Sequence, residues 1–403
     1  MGAAAEKRGH FGPGFVITAA FIGPGTVITC TASGANFGTA LLWALLFAGL
    51  TTLVLQEMAI RLSLATGKDL AENLREVFAN PWGRGIICLL SAGAIAIGCA
   101  AYQAGNLVGG AAGVSVLLGG DLTLWVMIQT AIAVVLLWTG KYKYIERFLT
   151  VLVAIMSFCF VVTAVVFAPS LPDILAGLFL PSLPEGSVLT ILALIGTTVV
   201  PYNLFLHSRI IGEKWAGERH LGYARKDLII AVAIGVAASV AISVTAAGAL
   251  RGVEINSIQA LSGPLHSLLG NIGSAVFGIG LWAAGMTSAI TAPLAAAYTV
   301  AGAAGWSRDS TDPRFRAVWI VVIAFGLFFV MVSARPIPLI VTAQALNGII
   351  LPIAALFLLF TMNSKNRLGK LRNRLAANIV AALFLLIVAV LSARYILRAV
   401  GWL

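Results

Sequence analysis

The chain has 403 residues, of which 60% are apolar and 10% are charged, and its formal net charge is +11. Soluble domains carry about 25% charged residues, so a fold of this composition has too little polar surface to face water. The apolar content suffices for roughly eleven membrane spans of about 20 residues each. The composition predicts an all-α integral membrane protein and excludes a nucleic-acid-binding protein, a soluble enzyme and a secreted disulfide scaffold.

Eleven apolar segments follow one another along the chain, and the eighth is long enough to tilt in the bilayer or to continue past it. They are Gly12–Phe37, Leu41–Leu62, Gly85–Leu118, Leu122–Gly140, Phe148–Phe167, Val188–Ile211, Leu228–Leu250, Leu265–Gly305, Ala317–Ser333, Ile337–Met362 and Leu375–Arg398. The first eleven residues form a polar tail with no pattern of a removable signal or a lipid anchor. Four cysteines lie inside apolar segments without metal-ligand spacing, which predicts buried free thiols.

The basic residues are distributed unevenly between the two sides of the predicted membrane protein. When the connecting loops are assigned to alternate sides, 22 of the 26 Lys and Arg residues share one side with the N-terminal tail. The other four are Arg251, Arg335, Arg394 and Arg398. Because cytoplasmic loops are enriched in Lys and Arg, this asymmetry predicts a multi-pass protein of the cell membrane with a cytoplasmic N-terminus and an external C-terminus.

Two of the segments contain helix-breaking residues near mid-membrane. The first reads FVITAAFIGPGTVITCTASG, and the sixth reads LTILALIGTTVVPYNLFLHS. Broken backbone at membrane depth is tolerated where it lines a cavity, and paired breaks five spans apart are typical of inverted repeats with the substrate between them. We therefore predict a first inverted repeat over residues 12–168, a second over 187–362, and an additional eleventh helix over 374–403.

These stretches resemble the Nramp family, the natural-resistance-associated metal transporters of the LeuT-type fold. The similarity covers nearly the whole chain, including GPGTVITCTASGANFGTALLWALL, IGTTVVPYNLFLHS and GLWAAGMTSAITAPLAAAYTVAG. The resemblance implies about eleven transmembrane helices in two inverted five-helix repeats, with broken helices 1 and 6. It also implies alternating access of a central site.

The residues at the expected metal site depart from the family pattern. Where the family has Asp-Pro-Gly-Asn in helix 1, this chain has Gly23, Pro24, Gly25 and Thr26, and where it has Met-Pro-His-Asn in helix 6, the chain has Val200, Pro201, Tyr202 and Asn203. The acids expected in the third helix are also absent. Only Glu57 lies within a predicted span, near its cytoplasmic end. Because a divalent ion at mid-membrane needs compensating charge, a family-type Mn²⁺ or Fe²⁺ site is not expected here.

The two breaks nevertheless predict a binding site for a small ion. Half-helix amino ends favour anions, whereas the free carbonyl ends suit Na⁺. The predicted substrate-binding residues are Gly23, Gly25, Thr26, Val200, Tyr202, Asn203 and Gln344. The predicted sodium-binding residues are Ala20, Thr197, Thr287 and Ser288, of which the last two resemble the hydroxyl pair of LeuT-type sodium sites. We therefore expect Na⁺ as a coupling ion. We expect no cofactor and no obligate protein partner.

Structural roles remain open for several of these residues. Thr26 could cap its half-helix, Tyr202 could be a packing aromatic, and Asn203 could brace the broken backbone. Four buried amides could hold helices together instead of contacting substrate; they are Gln103, Asn106, Gln344 and Asn347. His207 and Arg209 are interpreted as a pair at the end of their helix.

Four functional hypotheses follow from these patterns. The first is Na⁺-coupled uptake of a small anion, and the nearest resemblance is to an Nramp-related branch that carries bicarbonate. The second is a divalent cation transporter, for Mg²⁺ or Mn²⁺, since Mg²⁺ can travel with much of its water shell. The third is a transporter of a neutral solute, and the fourth is a membrane enzyme or sensor. The spans contain no catalytic constellation, which disfavours an enzyme.

Overall fold

The computed structural model describes residues 22–77, 80–139, 143–252, 258–332 and 336–400, and every regular element in these ranges is helical. The α-helices, numbered in chain order, are α1 Pro24–Phe37, α2 Leu42–Thr66, α3 Leu70–Val77, α4 Pro81–Leu118, α5 Leu122–Thr139, α6 Lys143–Phe167, α7 Leu171–Phe179, α8 Val188–Thr198, α9 Pro201–Lys214, α10 Leu221–Ala249, α11 Ile258–Leu261, α12 Gly263–Leu269, α13 Asn271–Ala304, α14 Pro313–Val332, α15 Pro336–Met362, α16 Lys365–Leu368 and α17 Leu375–Ala399. Single 3₁₀ turns cover Glu218–His220 and Gly369–Leu371.

The long apolar helices match the predicted spans. In the described part of the chain nine helical stretches are long and apolar enough to cross a membrane, and α8 and α9 count together as one of them. The apolar part of α6 and the short helix α1 occupy the positions of the remaining two spans. On α5, α14 and α17 many large apolar side chains are exposed, as expected for helices that face lipid tails.

The eighth predicted span is wrong in its extent. Leu265–Gly305 is not one helix, because Gly270 adopts φ +59° and separates α12 from α13. Such a left-handed conformation is readily adopted by glycine and ends the α12 turn. Two further helices, α3 and α7, lie in connections that were predicted as loops. The span proper is therefore α13, and the preceding turn belongs to the connection.

Both predicted breaks lie where the prolines indicated. Helix α1 begins at Pro24, directly after Gly23 with extended backbone angles of φ −84° and ψ 174°. Helix α8 ends at Thr198, and α9 begins at Pro201 after the extended residue Val200, with φ −71° and ψ 119°. Proline suits the first helical position, where its missing N–H has no acceptor to lose. Helices α1 and α9 thus begin in the same way, with a proline that follows an extended residue.

The first half of the predicted first span, including Ala20, lies outside the described residues. The division into repeats over residues 12–168 and 187–362 stays a prediction. All four cysteines are free; they are Cys30, Cys88, Cys99 and Cys159, and the first and third are buried.

Glycines allow the central helices to approach each other closely. A Cβ atom at Gly113 of α4 would collide with the backbone of α13, and one at Gly285 of α13 would collide with the backbone of α4. The same holds between α8 and α15, where a Cβ at Gly196 would collide with the Gln344 carbonyl and one at Gly348 with the Leu192 carbonyl. Small residues permit such backbone approach between membrane helices. These contacts set α4, α8, α13 and α15 around the two breaks.

Candidate functional site

The two helix breaks are joined through a pair of hydroxyl groups. The Thr26 Oγ1 atom, in the first turn of α1, lies 2.8 Å from Thr197 Oγ1 in the last turn of α8. Both side chains are fully buried. The residues that sequence analysis assigned separately to substrate and to sodium therefore contact each other directly.

The backbone around both breaks presents amino ends of helices. The Thr26 N–H donates to the Gly23 carbonyl at 3.1 Å, and the Asn203 N–H donates to the Val200 carbonyl at 3.0 Å. Gly25 and Tyr202 are each the second residue of a half-helix, where the N–H groups have no acceptor one turn earlier. The Asn203 side chain is buried, with 4% of its surface exposed. The amino ends of α1 and α9, which are the positive ends of their helix dipoles, thus lie inside the protein.

Helix α15 places an amide against the start of α1. A Cβ atom at Gly25 would collide with the Gln344 side chain, so that only glycine leaves room for this contact. Gln344 is fully buried, and neither its Oε1 nor its Nε2 has a hydrogen-bond partner among the described residues. One turn further along α15, Asn347 has an unpartnered Nδ2 atom. Burying an amide without a hydrogen-bond partner is unfavourable. Such amides are typical of sites where a bound ligand supplies the partner.

The predicted sodium-binding residues are only partly brought together. The Ser288 Oγ atom lies 3.2 Å from the position that a Cβ would take at Gly23, so it faces the start of α1. The Thr287 hydroxyl donates to the Ala283 carbonyl of its own helix at 2.8 Å, and the side chain is 5% exposed. The fourth predicted residue, Ala20, falls outside the described ranges.

Sequence analysis did not single out Tyr102 of α4. Its hydroxyl lies 3.3 Å from the Cβ position at Gly23, and its ring contacts Tyr202 edge to face, with ring centres 5.8 Å apart and planes at 76°. A tyrosine in an apolar segment has the pattern of an ordinary core residue. One signal in the sequence was available. The family's acids are absent from this helix, so Tyr102 is a polar side chain of the helix that could have been considered for the site in their place.

The other amides of the third segment form hydrogen bonds of their own. Gln103 donates from Nε2 to the Ala289 carbonyl of α13 at 3.0 Å, and Asn106 donates to Gln103 Oε1 at 3.3 Å. Gln129 of α5 donates to the Asn106 carbonyl at 3.2 Å. The interhelical role left open for Gln103 is confirmed by its bond to α13, whereas among the described residues the Asn106 side chain bonds only within α4.

The one acid of the predicted spans is neutralised away from the breaks. Glu57 Oε2 accepts from Arg61 Nε at 2.8 Å, and Glu57 Oε1 accepts from the guanidinium of Arg225, with 2.9 Å to its Nε. Arg61 also donates to the Leu371 carbonyl. Among the described residues no three His, Cys, Asp or Glu side chains group as metal ligands. The polar groups that the described residues place at the breaks are hydroxyls, carboxamides and backbone groups, which are neutral.

The interpretation of His207 and Arg209 as a helix-end pair is wrong. His207 is 3% exposed in the interior, where its Nδ1 lies 2.8 Å from Gln56 Oε1 of α2. Because the amide oxygen only accepts, Nδ1 carries the proton. Arg209 instead forms an ion pair with Glu213 at 2.9 Å. Helical spacing puts these side chains on different faces of α9, so they meet different neighbours.

A buried acidic residue at one end of the helix bundle forms ion pairs with two other segments. Asp69, in the connection between α2 and α3, is 6% exposed and pairs with Arg308 at 2.8 Å and with Arg209 at 3.9 Å. Burial raises the pKa of the Asp69 carboxyl, while Arg308 opposes the shift. The next residue, Leu70, donates its N–H to Ser208 Oγ of α9 at 2.9 Å. The connection is thereby tied to α9 and to the segment after α13.

Comparison with known proteins decides the family. The family described as natural resistance-associated macrophage protein-like, or Nramp, matches residues 14–398. The chain belongs to this family. It is 28% identical over 402 residues to the divalent metal cation transporter MntH of Yersinia pestis, covering 96% of this chain and 94% of that protein. The MntH of Agrobacterium fabrum is also 28% identical, over 97% of this chain and 87% of the relative.

Solved structures show the fold. The chain superposes on the Eremococcus coleocola manganese transporter with a TM-score of 0.77, at 20% identity, covering 94% of this chain and 84% of that one. The structure of MhsT in complex with L-phenylalanine gives a TM-score of 0.64 at 16% identity, covering 94% and 98%. The predicted LeuT-type fold is confirmed. This Nramp protein is a multi-pass membrane transporter.

Proposed function

We propose that this Nramp protein carries a small monovalent anion, with bicarbonate as the leading candidate, together with Na⁺ by alternating access. The observation that carries the proposal is the neutrality of the site. Among the described residues, the polar groups placed at the two breaks are backbone amides and carbonyls, hydroxyls and carboxamides; the residues are Gly23, Gly25, Thr26, Tyr102, Thr197, Val200, Tyr202, Asn203, Ser288 and Gln344. Without a carboxylate among these residues, the field at the breaks comes from the helix ends, of which the amino ends of α1 and α9 are positive and the carboxyl end of α8 is negative.

An anion between these helix ends is favoured by two effects. The aligned peptide dipoles give the amino end of a helix roughly half a positive charge, and its unpaired N–H groups donate hydrogen bonds to anions. Bicarbonate is planar and accepts through its oxygens, so it can use hydroxyl and carboxamide donors such as those of Thr26 and Gln344. Na⁺ is suited by the opposing carbonyl ends together with the Thr197 and Ser288 hydroxyls.

A divalent cation is the second candidate, and a specific observation favours it. The relatives that match almost the whole chain are named divalent metal cation transporters, so descent from such proteins supports Mg²⁺ or Mn²⁺ as substrate. Mg²⁺ keeps several waters when bound and could use the oxygens of Thr26, Asn203 and Gln344. Against this candidate stands the cost of a double charge at mid-membrane without an acid to balance it.

The orientation belongs to the same proposal. The predicted cytoplasmic N-terminus puts the Asp69–Arg308 ion pair on the cytoplasmic side and the start of α8 on the outside. Uptake across the cell membrane would then begin on the α8 side and end beside α9.

The deciding experiment uses purified protein in liposomes with a trapped pH dye. Bicarbonate is added with and without an inward Na⁺ gradient, with carbonic anhydrase and protein-free liposomes as controls for diffusing CO₂. Sodium-dependent alkalinisation of the lumen is the expected result. A parallel set with trapped Mg²⁺ and Mn²⁺ dyes tests the second candidate, and metal uptake without bicarbonate flux would overturn the anion proposal.

Two variants place the activity in the site. Asn203→Ala should lower bicarbonate flux several-fold with little loss of expression, because it removes a buried polar group at the start of α9. Glu57→Gln should lower the thermal-unfolding midpoint, because Arg61 and Arg225 lose their partner, and it should leave the KM for substrate unchanged. Loss of all uptake in Glu57→Gln with intact folding would favour the divalent cation.

A further inference from the structure

The hydroxyl of Tyr102 is a buried polar group beside the first helix break. The side chain lies in the middle of α4 with 0% of its surface exposed. Its Oη atom forms no hydrogen bond of regular geometry with the described residues, and the Thr197 hydroxyl is its nearby polar neighbour. A buried hydroxyl without a partner is unfavourable, and each such group in a native structure calls for an explanation such as a missing ligand.

The position of this hydroxyl points to the ligand. The Tyr102 Oη and Ser288 Oγ atoms lie 3.3 Å and 3.2 Å from one point, the position of a Cβ atom at Gly23. Gly23 is the residue before the first turn of α1. Helices α4 and α13 therefore direct one hydroxyl each at the positive end of α1, where the missing Cβ of Gly23 gives both hydroxyls room.

The direction of the Tyr102 side chain is fixed by its neighbours. Its ring packs edge to face against Tyr202, the second residue of α9, with ring centres 5.8 Å apart. Both rings are buried, so the hydroxyl cannot reach water by a small rotation of the side chain. The same ring contact links α4 to the second helix break.

We propose that the Tyr102 hydroxyl donates a hydrogen bond to the anion bound at the start of α1, so that the third membrane span supplies a substrate-binding group. This inference rests on the proposed function and deepens it. A phenol donates one hydrogen bond and carries no charge at neutral pH, so it favours an oxyanion without attracting it strongly. A metal cation would instead contact the lone pairs of the same oxygen.

The test is Tyr102→Phe in the liposome assay, with Tyr223→Phe as the matched control. Tyr223 is 69% exposed on α10, whereas the site residues are buried. Phenylalanine keeps the ring contact with Tyr202 and removes only the hydroxyl. Since hydrogen bonds to charged groups are the stronger class, we expect the KM for bicarbonate to rise about ten-fold or more. The KM for Na⁺ and the thermal-unfolding midpoint without substrate should not fall.

A second variant reaches the same space from the opposite side. Gly23→Ala leaves Tyr102 intact and puts a methyl group 3.3 Å from its hydroxyl and 3.2 Å from that of Ser288. It should also raise the KM for bicarbonate, and it keeps the inference testable if Tyr102→Phe does not fold.

The outcomes separate the two proposals. Sodium-dependent bicarbonate flux in the wild type with an unchanged KM in Tyr102→Phe would overturn the role of Tyr102 and leave the proposed function in place. An equal rise of KM in Tyr223→Phe would also overturn it. Absence of bicarbonate flux in the wild type would overturn the proposed function and, with it, this inference.

Discussion

The Thr26 and Thr197 hydroxyls lie 2.8 Å apart, and they connect the start of α1 to the end of α8 across 171 positions of sequence. This bond joins the two helices that border the breaks, where transporters of inverted-repeat architecture bind their substrates. It also means that each hydroxyl has a fixed neighbour before a substrate arrives.

Removing one of these hydroxyls should cost more than removing both. Thr26→Val leaves the Thr197 hydroxyl buried without this partner, which costs about 1–3 kcal/mol, and we expect a lower thermal-unfolding midpoint and lower flux. The double variant Thr26→Val with Thr197→Val should regain part of the midpoint but not the flux. Additive losses of stability in the double variant would show that the two hydroxyls do not interact.

A carboxylate placed at Gly23 should repel the proposed anion. Gly23→Asp and Gly23→Asn demand the same space beside Tyr102 and Ser288, 3.3 and 3.2 Å from the Cβ position, so the amide variant controls for crowding. We expect Gly23→Asp to lose bicarbonate uptake and Gly23→Asn to keep a larger share of it. Equal flux in the two variants would contradict the electrostatic argument. Mn²⁺ uptake gained only by Gly23→Asp would support it further.

We expect the unpartnered amide of Gln344 to lower the stability of the protein and to be required for transport. Gln344→Met removes a buried polar group without a partner, so we expect a higher thermal-unfolding midpoint in the absence of substrate and a loss of transport. Gln56→Met is the contrasting control, because its amide oxygen bonds His207 at 2.8 Å and its removal should lower the midpoint. A lower midpoint in Gln344→Met would indicate that this amide has a structural role.

The pH dependence of stability should carry a contribution from Asp69. Burial raises the pKa of its carboxyl above the usual value, so in the window between the unfolded and folded pKa values the folded protein binds more protons. Its free energy of unfolding then falls as pH rises through that window. We expect the midpoint of the wild type, relative to Asp69→Asn, to rise as pH is lowered from about 7 to about 4.5. A difference that falls or stays constant over this range would contradict the assignment.

The sequence predicted the elements that depend on local signals. Pro24 and Pro201 marked both half-helix starts because proline is tolerated at the first helical position and not within a helix. The break at Gly270 was missed, since glycine in an apolar segment is as often a packing residue as a helix end. The membrane spans were recognisable from hydropathy alone.

Most of the predicted site residues were found because they lie at a backbone break, whereas Ser288 was predicted from the family resemblance. Thr26, Tyr202 and Asn203 follow the prolines directly, whereas Tyr102 belongs to an uninterrupted helix, and its position depends on tertiary packing. The same limit applies to His207, whose partner Gln56 is 151 residues away in sequence. No local pattern encodes which of two polar faces a helix turns toward a neighbour.

The glycine contacts between α8 and α15 limit how the sixth span can move. Because the backbones meet directly at Gly196 and Gly348, these two helices have little room to slide past each other and behave as one rigid unit. Helix α9 packs mainly against α2 and α13. We therefore expect relative motion of the two halves to be concentrated in Val199 and Val200, the two residues between α8 and α9, and we expect stiffening of Val199, which is not among the predicted ligands, to slow the transport cycle.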